Sequence, residues 1–324
     1  MTDKKSNSQS NAASSAHAKP DPKSDPKSGP KPERIAKLLA RAGVGSRREI
    51  ERMIDAGRIS LDGKILETPA TLITSTHGIM VDGKTIAGPQ RTRVWRYHKP
   101  RGMVTSHKDP EGRETVFANL PEGLPRVISV GRLDYNTEGL LLLTNDGGMA
   151  RWMELPDTGW KRQYKVRVHG KVDEEALRKL RKGIVVDGVK YGSIDAKLGK
   201  TQGSNAWLTV AIREGKNREV RKVLGALGLD VTRLIRVAYG PFELGALDRG
   251  EVDEISSVGL EESVPDNLIY KGREKLSAKS GGAKASEGAN TGRAKAKPKP
   301  NARHVSKKAG KKSSDKKFTE KKKR

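Results

Sequence analysis

Ser129–Gly148 reads SVGRLDYNTEGLLLLTNDGG, and the reading of this stretch decides the rest of the chain. Leu140–Leu143 is a short unbroken apolar run, bounded by Gly139 before it and by Asn145-Asp146-Gly147 after it. A run of that length between turn signals predicts a buried strand rather than a helix. Ahead of it stands Gly131-Arg132-Leu133-Asp134, a glycine, a cation and a carboxylate on a short polar loop. A carboxylate on a loop that leads into a rigid strand can be held in one geometry, as a catalytic group must be. The same residue types also build turns and caps, because an Asp beside Asn and Thr bonds readily to nearby backbone. The stretch by itself leaves both roles open for Asp134.

Working downstream, Tyr164–Val168 alternates with period two and predicts a strand. Asp173–Lys182 reads as a helix with Ala176, Leu177 and Leu180 inward, and Ala206–Ile212 as another strand. Glu214-Gly215-Lys216-Asn217 turns into a helix whose apolar stripe is Val220, Val223, Leu224 and Leu227. Arg218, Arg221 and Lys222 share a different face of it, at i, i+3 and i+4. Val231–Tyr239 is a last strong strand closed by Gly240-Pro241. Upstream, Val94–His98 is a strand ended by Lys99-Pro100-Arg101-Gly102. Strands and helices mix without a strict βαβ rhythm, so the fold class is α+β with a mostly antiparallel sheet.

A smaller unit precedes this domain. Ile35, Leu38, Leu39 and Ala42 lie on one helical face, and Gly43 and Gly45 stop the helix. Ser46-Arg47-Arg48-Glu49 is a capping box that opens a second helix, with Ile50, Met53 and Ile54 inward. Ile59-Ser60-Leu61 before Asp62-Gly63, and Val81 before Asp82-Gly83-Lys84, are strand-and-turn signatures. Cations grouped near a helix N-terminus suit RNA phosphates, although an ordinary solvated helix face carries charge as well.

Charge sets the ends apart. Of a net +26, residues 271–324 carry +16, with 20 Lys/Arg against 4 Asp/Glu, and residues 1–32 carry +3. A basic segment with so little apolar content cannot bury enough surface to fold, and polyphosphate is its natural partner. Residues 1–32, rich in Ser, Asn, Lys and Pro, read as a disordered leader. The expected domains are therefore 1–32 leader, 33–90 small domain, 91–258 large domain, and 259–324 linker and disordered basic tail. With no Cys there is no disulfide, thiolate nucleophile or cysteine metal site, and the six His form no metal-ligand spacing. No apolar run reaches the roughly 18 residues of a membrane span, so a cytoplasmic protein away from membranes is expected. Gly199-Lys200-Thr201 fails as a phosphate loop because position 194 is Ile.

Three separated strings then agree with one family. GRLD followed by x-x-T-x-G-L-L-L-x-T-x-D-G closely resembles the active-site motif of the pseudouridine synthases of the RsuA/RluB group. The run from Arg34 to Lys64, with Ser46-Arg47-Arg48-Glu49 inside it, resembles the S4 RNA-binding domain. Arg162-Gln163-Tyr164-Lys165-Val166 and Glu214-Gly215-Lys216-Asn217-Arg218-Glu219-Val220-Arg221 resemble the two remaining motifs of those synthases. The resemblance covers about residues 33–255. It implies an S4 domain followed by a pseudouridine synthase domain, with Asp134, Tyr164 and Arg221 as catalytic residues. It also implies RNA contacts at Arg47, Arg48 and Arg58, with Arg132, Lys165 and Arg218 placed to hold phosphates. The Lys-Pro-Arg-Gly and Asp-Pro-Glu-Gly-Arg strings look most like members acting on large-subunit (23S) ribosomal RNA, with small-subunit (16S) enzymes second. His107, on the same loop, reads as a base or a substrate contact or as neither.

The implied reaction turns uridine into pseudouridine. The N1–C1′ bond breaks, the uracil turns, and C5 joins C1′. Because the base is kept, one carboxylate can suffice where a glycosidase needs two, and no cofactor or metal is expected. An Arg221 near Asp134 would favour the ionised carboxylate, and Tyr164 offers a flat face for the uracil. Flipping the nucleotide costs about a few kcal/mol. The expected partner is ribosomal RNA or a pre-ribosomal particle, met by a monomer. A non-catalytic assembly factor built on the S4 module is the rival reading. A ribonuclease would need a His pair or a carboxylate cluster for metal, which the sequence lacks.

Overall fold

The computed structural model describes residues 32–272. The expected leader and basic tail lie outside the described residues.

The small domain forms as its sequence requires. α1 (Ile35–Arg41) and α2 (Arg47–Asp55) pack their apolar faces together with two short hairpins. The capping box is formed, Glu49 N donating to Ser46 Oγ at 3.2 Å and Ser46 N to Glu49 Oε2 at 3.3 Å. β1 (Ile59–Leu61) turns through Asp62 and Gly63, both at positive φ, into β2 (Lys64–Ile65). β3 (Ile79–Val81) pairs antiparallel with β1 and turns into β4 (Lys84–Thr85). Ile35, Leu39, Ile50, Ile54 and Ile59 are fully buried at the centre.

The large domain is built on one long sheet, with a separate hairpin of Ile184–Val186 and Val189–Tyr191. The sheet's main strands are β5 (Val94–Lys99), β6 (Glu138–Thr144), β7 (Arg162–His169), β8 (Ile194–Gln202), β9 (Asn205–Ile212), β10 (Asp230–Tyr239) and β11 (Val252–Glu254). Their spatial order is β8-β9-β7-β10-β6-β5-β11. Every pairing along that order is antiparallel except β10 with β6, which run parallel. That seam is short, matching only Ile235 with Glu138 and Arg236 with Gly139. Gly139 is needed there. At φ +103 a Cβ on it would stand 2.3 Å from the Arg236 carbonyl oxygen. The sheet's two halves thus join at a residue that only glycine can fill.

Helices cover the halves separately. α4 (Glu174–Lys179) and α5 (Glu219–Ala226) pack Leu177, Val220, Val223 and Leu224 on β7–β10. α3 (Gly147–Glu154) and α6 (Ser257–Ser263) pack Met149, Met153 and Leu260 against Leu140 and Leu142. Leu141 and Leu143 face the other way, with Trp95, Tyr97 and Val116. The apolar run is therefore buried on both faces, as expected.

Three features depart from the sequence reading. Asn145-Asp146-Gly147, read as a turn, is the start of α3, whose N-cap Asp146 accepts from Gly148 N at 2.6 Å. β8 went unread because its second half is solvent-exposed and shows no alternation. Residues past the expected domain end at 258 pack into the core, with Leu260 and Val264 buried and Tyr270 O accepting from Thr92 N at 2.8 Å.

The two domains meet at Arg41. Its guanidinium bonds Glu33 within the small domain and reaches Asp146 Oδ2 at 3.3 Å across the boundary. It also lies 5.6 Å from the Tyr270 ring centre.

Candidate active site

Asp134 opens a turn whose every carbonyl is held. Thr137 N donates to Asp134 O at 3.0 Å and closes it. Lys99 Nζ donates to Asp134 O at 3.3 Å and to Thr137 O at 3.0 Å. Gly102 N donates to Tyr135 O at 2.9 Å, and Arg221 Nη2 to Asn136 O at 3.0 Å. The residues before Asp134 are strapped as well. Thr105 Oγ1 donates to Leu133 O at 2.9 Å, and Gly131 N donates to Glu154 Oε1 at 2.7 Å. The donors to these carbonyls come from Lys99–Thr105, from Thr137 and from Arg221, so segments far apart in the chain hold the turn.

Lys99 was quoted in the sequence only as part of a string, yet it is 0 % exposed. Burial lowers its ammonium to about 8, outweighing the upward pull of Asp134 and Glu138. The signal was available, since Lys99 has the same strand parity as buried Trp95 and Tyr97.

A cleft of about 910 Å³ lies beside the turn and is lined by Asp134, Tyr164, Arg132 and Arg218 together. Tyr164, 8 % exposed, pairs across the sheet with Arg236, which in turn pairs with Gly139 at the seam. That register brings Tyr164 to the strand Asp134 leads into. Ile212, Val220 and Leu234 add an apolar lining. Arg218 sits at φ +51 just before α5, a conformation a bulky residue adopts at a cost of about 1–3 kcal/mol.

Arg221 is near enough to Asp134 to feel its charge, and its hydrogen bonds go to backbone. It makes no ion pair with Asp134. Its two terminal nitrogens bond Val231 O at 2.9 Å and Asn136 O, so it fixes the turn's backbone. Burial and the neighbouring Arg218 push its pKa down, against the pull of Asp134. Lys165 stands elsewhere. One residue on from Tyr164, it faces the opposite side of the sheet and lines a separate hollow of about 420 Å³ with Arg233 and Arg249. Strand alternation alone excludes it from the cleft.

Arg47 and Arg48 are exposed at the start of α2 and carry no ion pair among the described residues. Arg58 is paired with Asp82, Nη2 to Oδ2 at 2.6 Å. His107 stacks on Phe117 with ring centres 3.6 Å apart, and burial lowers its pKa; it does not line the cleft.

Sequence reasoning missed the buried polar groups of the cleft. Arg236 is 3 % exposed, donates from Nε to Leu140 O at 2.7 Å, and leaves Nη2 without a partner. Glu219, also 3 % exposed, accepts from Lys216 N at 3.0 Å. Burial pushes its carboxyl up to about 7, and nearby Glu214 adds to the rise. Among the described residues no cluster of His, Cys, Asp or Glu could hold a metal ion, and no helix is long and apolar enough to cross a membrane.

The family model for RNA pseudouridylate synthase matches residues 93–226, and that for the S4 domain matches 33–86. A Rickettsia felis protein described as an uncharacterized RNA pseudouridine synthase is 46% identical over 229 residues, spanning 71% of this chain and 99% of its own. Ribosomal large subunit pseudouridine synthase B of Salmonella typhimurium is 42% identical over 264 residues, spanning 76% of this chain and 90% of its own. A crystal structure of a pseudouridylate synthase superposes with a TM-score of 0.50 at 25% identity, covering 71% of this chain and 99% of that one.

Proposed function

The chain belongs to the RNA pseudouridylate synthase family, and from that premise we propose that its substrate is a uridine of large-subunit ribosomal RNA, with Asp134 as the reacting carboxylate. Support for the substrate comes from the relatives named for the large ribosomal subunit, two of which align over most of their length. The observation that carries the site is the turn at Asp134. Its four carbonyls are all bonded, and it borders a cleft that also holds Tyr164 and Arg218.

In this reading the uridine is flipped into the cleft and its uracil lies against Tyr164, with Ile212, Val220 and Leu234 around it. The Asp134 carboxylate acts at the nucleotide while Lys99 and Arg221 keep its backbone still. The N1–C1′ bond breaks and the C5–C1′ bond forms. C5 releases a proton and N1 takes one up, so atoms balance within one nucleotide. Arg132 and Arg218 hold phosphates at the cleft, and Arg47 and Arg48 hold them from the S4 domain. The enzyme works as a cytoplasmic monomer on ribosomal RNA, free or in a precursor particle.

Pseudouridine mapping of ribosomal RNA tests this, in a deletion strain complemented with wild type or Asp134→Asn. The expected result is one large-subunit site restored by wild type alone. A small-subunit site would move the substrate there, and restoration by Asp134→Asn would remove Asp134 from the chemistry.

A further inference from the structure

Tyr135 is the only Phe, Trp or Tyr with an exposed side chain among the described residues, at 45%. The other large exposed hydrophobic residues, such as Ile65, Val185 and Val258, are aliphatic and stand away from the cleft. Tyr135 follows Asp134 directly and lines the same cleft. A ring so far exposed adds little to the core.

Its backbone is not free to move the ring away. The carbonyls of Asp134, Tyr135, Asn136 and Thr137 are all bonded, the Tyr135 oxygen to Gly102 N at 2.9 Å. Its hydroxyl lies beside the Lys-Pro-Arg-Gly corner, 3.9 Å from where a Cβ on Gly102 would stand. Two cations share its neighbourhood. Arg113 is held charged chiefly by its hydrogen bonds to Asp109, with Tyr135 among the groups that add to this. Arg132 shares the cleft lining. A ring on a pinned backbone, beside a cleft that Arg132 and Arg218 also line, offers stacking to a base while its phosphates find positive charge. Tyr164 lies deeper in the cleft and is buried, so the two rings are suited to different nucleotides.

We propose that Tyr135 is a stacking platform for an RNA base next to the uridine that enters the cleft. The proposal rests on the functional reading above. Flipping one nucleotide strips stacking from its neighbours, and an exposed ring beside the cleft replaces part of it. The contact needs an aromatic face and not a hydroxyl.

The test uses full-length protein and a transcript of 23S ribosomal RNA labelled with tritium at uridine C5. Filter binding gives Kd, and tritium release gives kcat and KM. Tyr135→Ala should raise Kd and KM roughly tenfold or more, leave the melting temperature unchanged, and affect kcat less than KM. Tyr135→Phe and Tyr135→Trp should restore both constants. Wild-type Kd and KM in Tyr135→Ala would overturn the proposal, as would failure of Tyr135→Phe to rescue. If wild type binds the transcript without releasing tritium, the functional reading fails while Kd still judges Tyr135. If wild type does not bind at all, both fall.

Discussion

The turn at Asp134–Thr137 and the helix start at Ser46–Glu49 would both present charge to RNA, and they are built in opposite ways. At the turn every carbonyl is taken by a donor from elsewhere in the chain. At the helix start, the capping box bonds within three residues and leaves the side chains of Arg47 and Arg48 in solvent. Bond-breaking chemistry needs one geometry, and a misplacement of about 1 Å can cost 10²-fold. Phosphate contacts need charge at the right distance, and long cations adapt to it. On this reading the turn pins geometry and the S4 surface supplies field.

The strongest way to break the contrast is Asp134→Asn. It keeps size and hydrogen-bonding capacity and removes only the charge. Turnover should fall by about 10³-fold or more, while Kd for RNA stays within about threefold. Equal losses in both would mean that the turn binds rather than reacts.

Lys99→Met asks whether the pinning matters. It keeps the buried stem and strips the donor from three carbonyls, those of Pro100, Asp134 and Thr137. Each unpaired group costs about 1–3 kcal/mol. A lower melting temperature and a kcat reduced about tenfold should follow, with KM less affected. An unchanged kcat in the folded variant would show that the turn holds itself.

Arg47→Ala with Arg48→Ala tests the other side. Kd should rise several-fold, and the log–log salt slope should flatten by about 1.4 to 1.8 for two lost phosphate contacts. kcat at saturating RNA should not change. Arg58→Ala is the internal control, because Asp82 already offsets that charge and its effect should be smaller. A kcat loss in the double variant would give the S4 domain a part in the chemistry.

The smallest effect is expected at Glu219. Its folded pKa, about 7, lies above the unfolded carboxylate value of 4.5. The stability it contributes is full below pH 4.5 and is lost as pH rises toward 7. Glu219→Gln mimics the neutral acid. It should match wild type near pH 4.5 and melt at a higher temperature at pH 8.5. Identical melting curves at pH 8.5 would show that the carboxyl ionises freely.

Much of the fold was legible because local pattern and tertiary outcome agree. Leu140–Leu143, Tyr164–Val168 and the capping box at Ser46 carry their structure in composition and spacing, and each formed as read. β8 and α6 were not legible, since their burial depends on neighbours distant in the chain. Strand alternation, which the sequence already contained, sets Lys165 on the face opposite Tyr164.

By itself, then, the sequence determined the α+β class, the order of small domain before large, and three motifs that resemble one family. The tertiary structure alone decided that Arg221 bonds the turn's backbone instead of the Asp134 carboxylate. It also decided that Lys99 is buried beneath that turn, and that Gly139 is where the sheet's halves join. The physical reason is the same each time. A motif fixes which groups are present. Which carbonyl a buried cation must satisfy is set by segments far apart in the chain, which meet only when the sheet closes at its parallel seam.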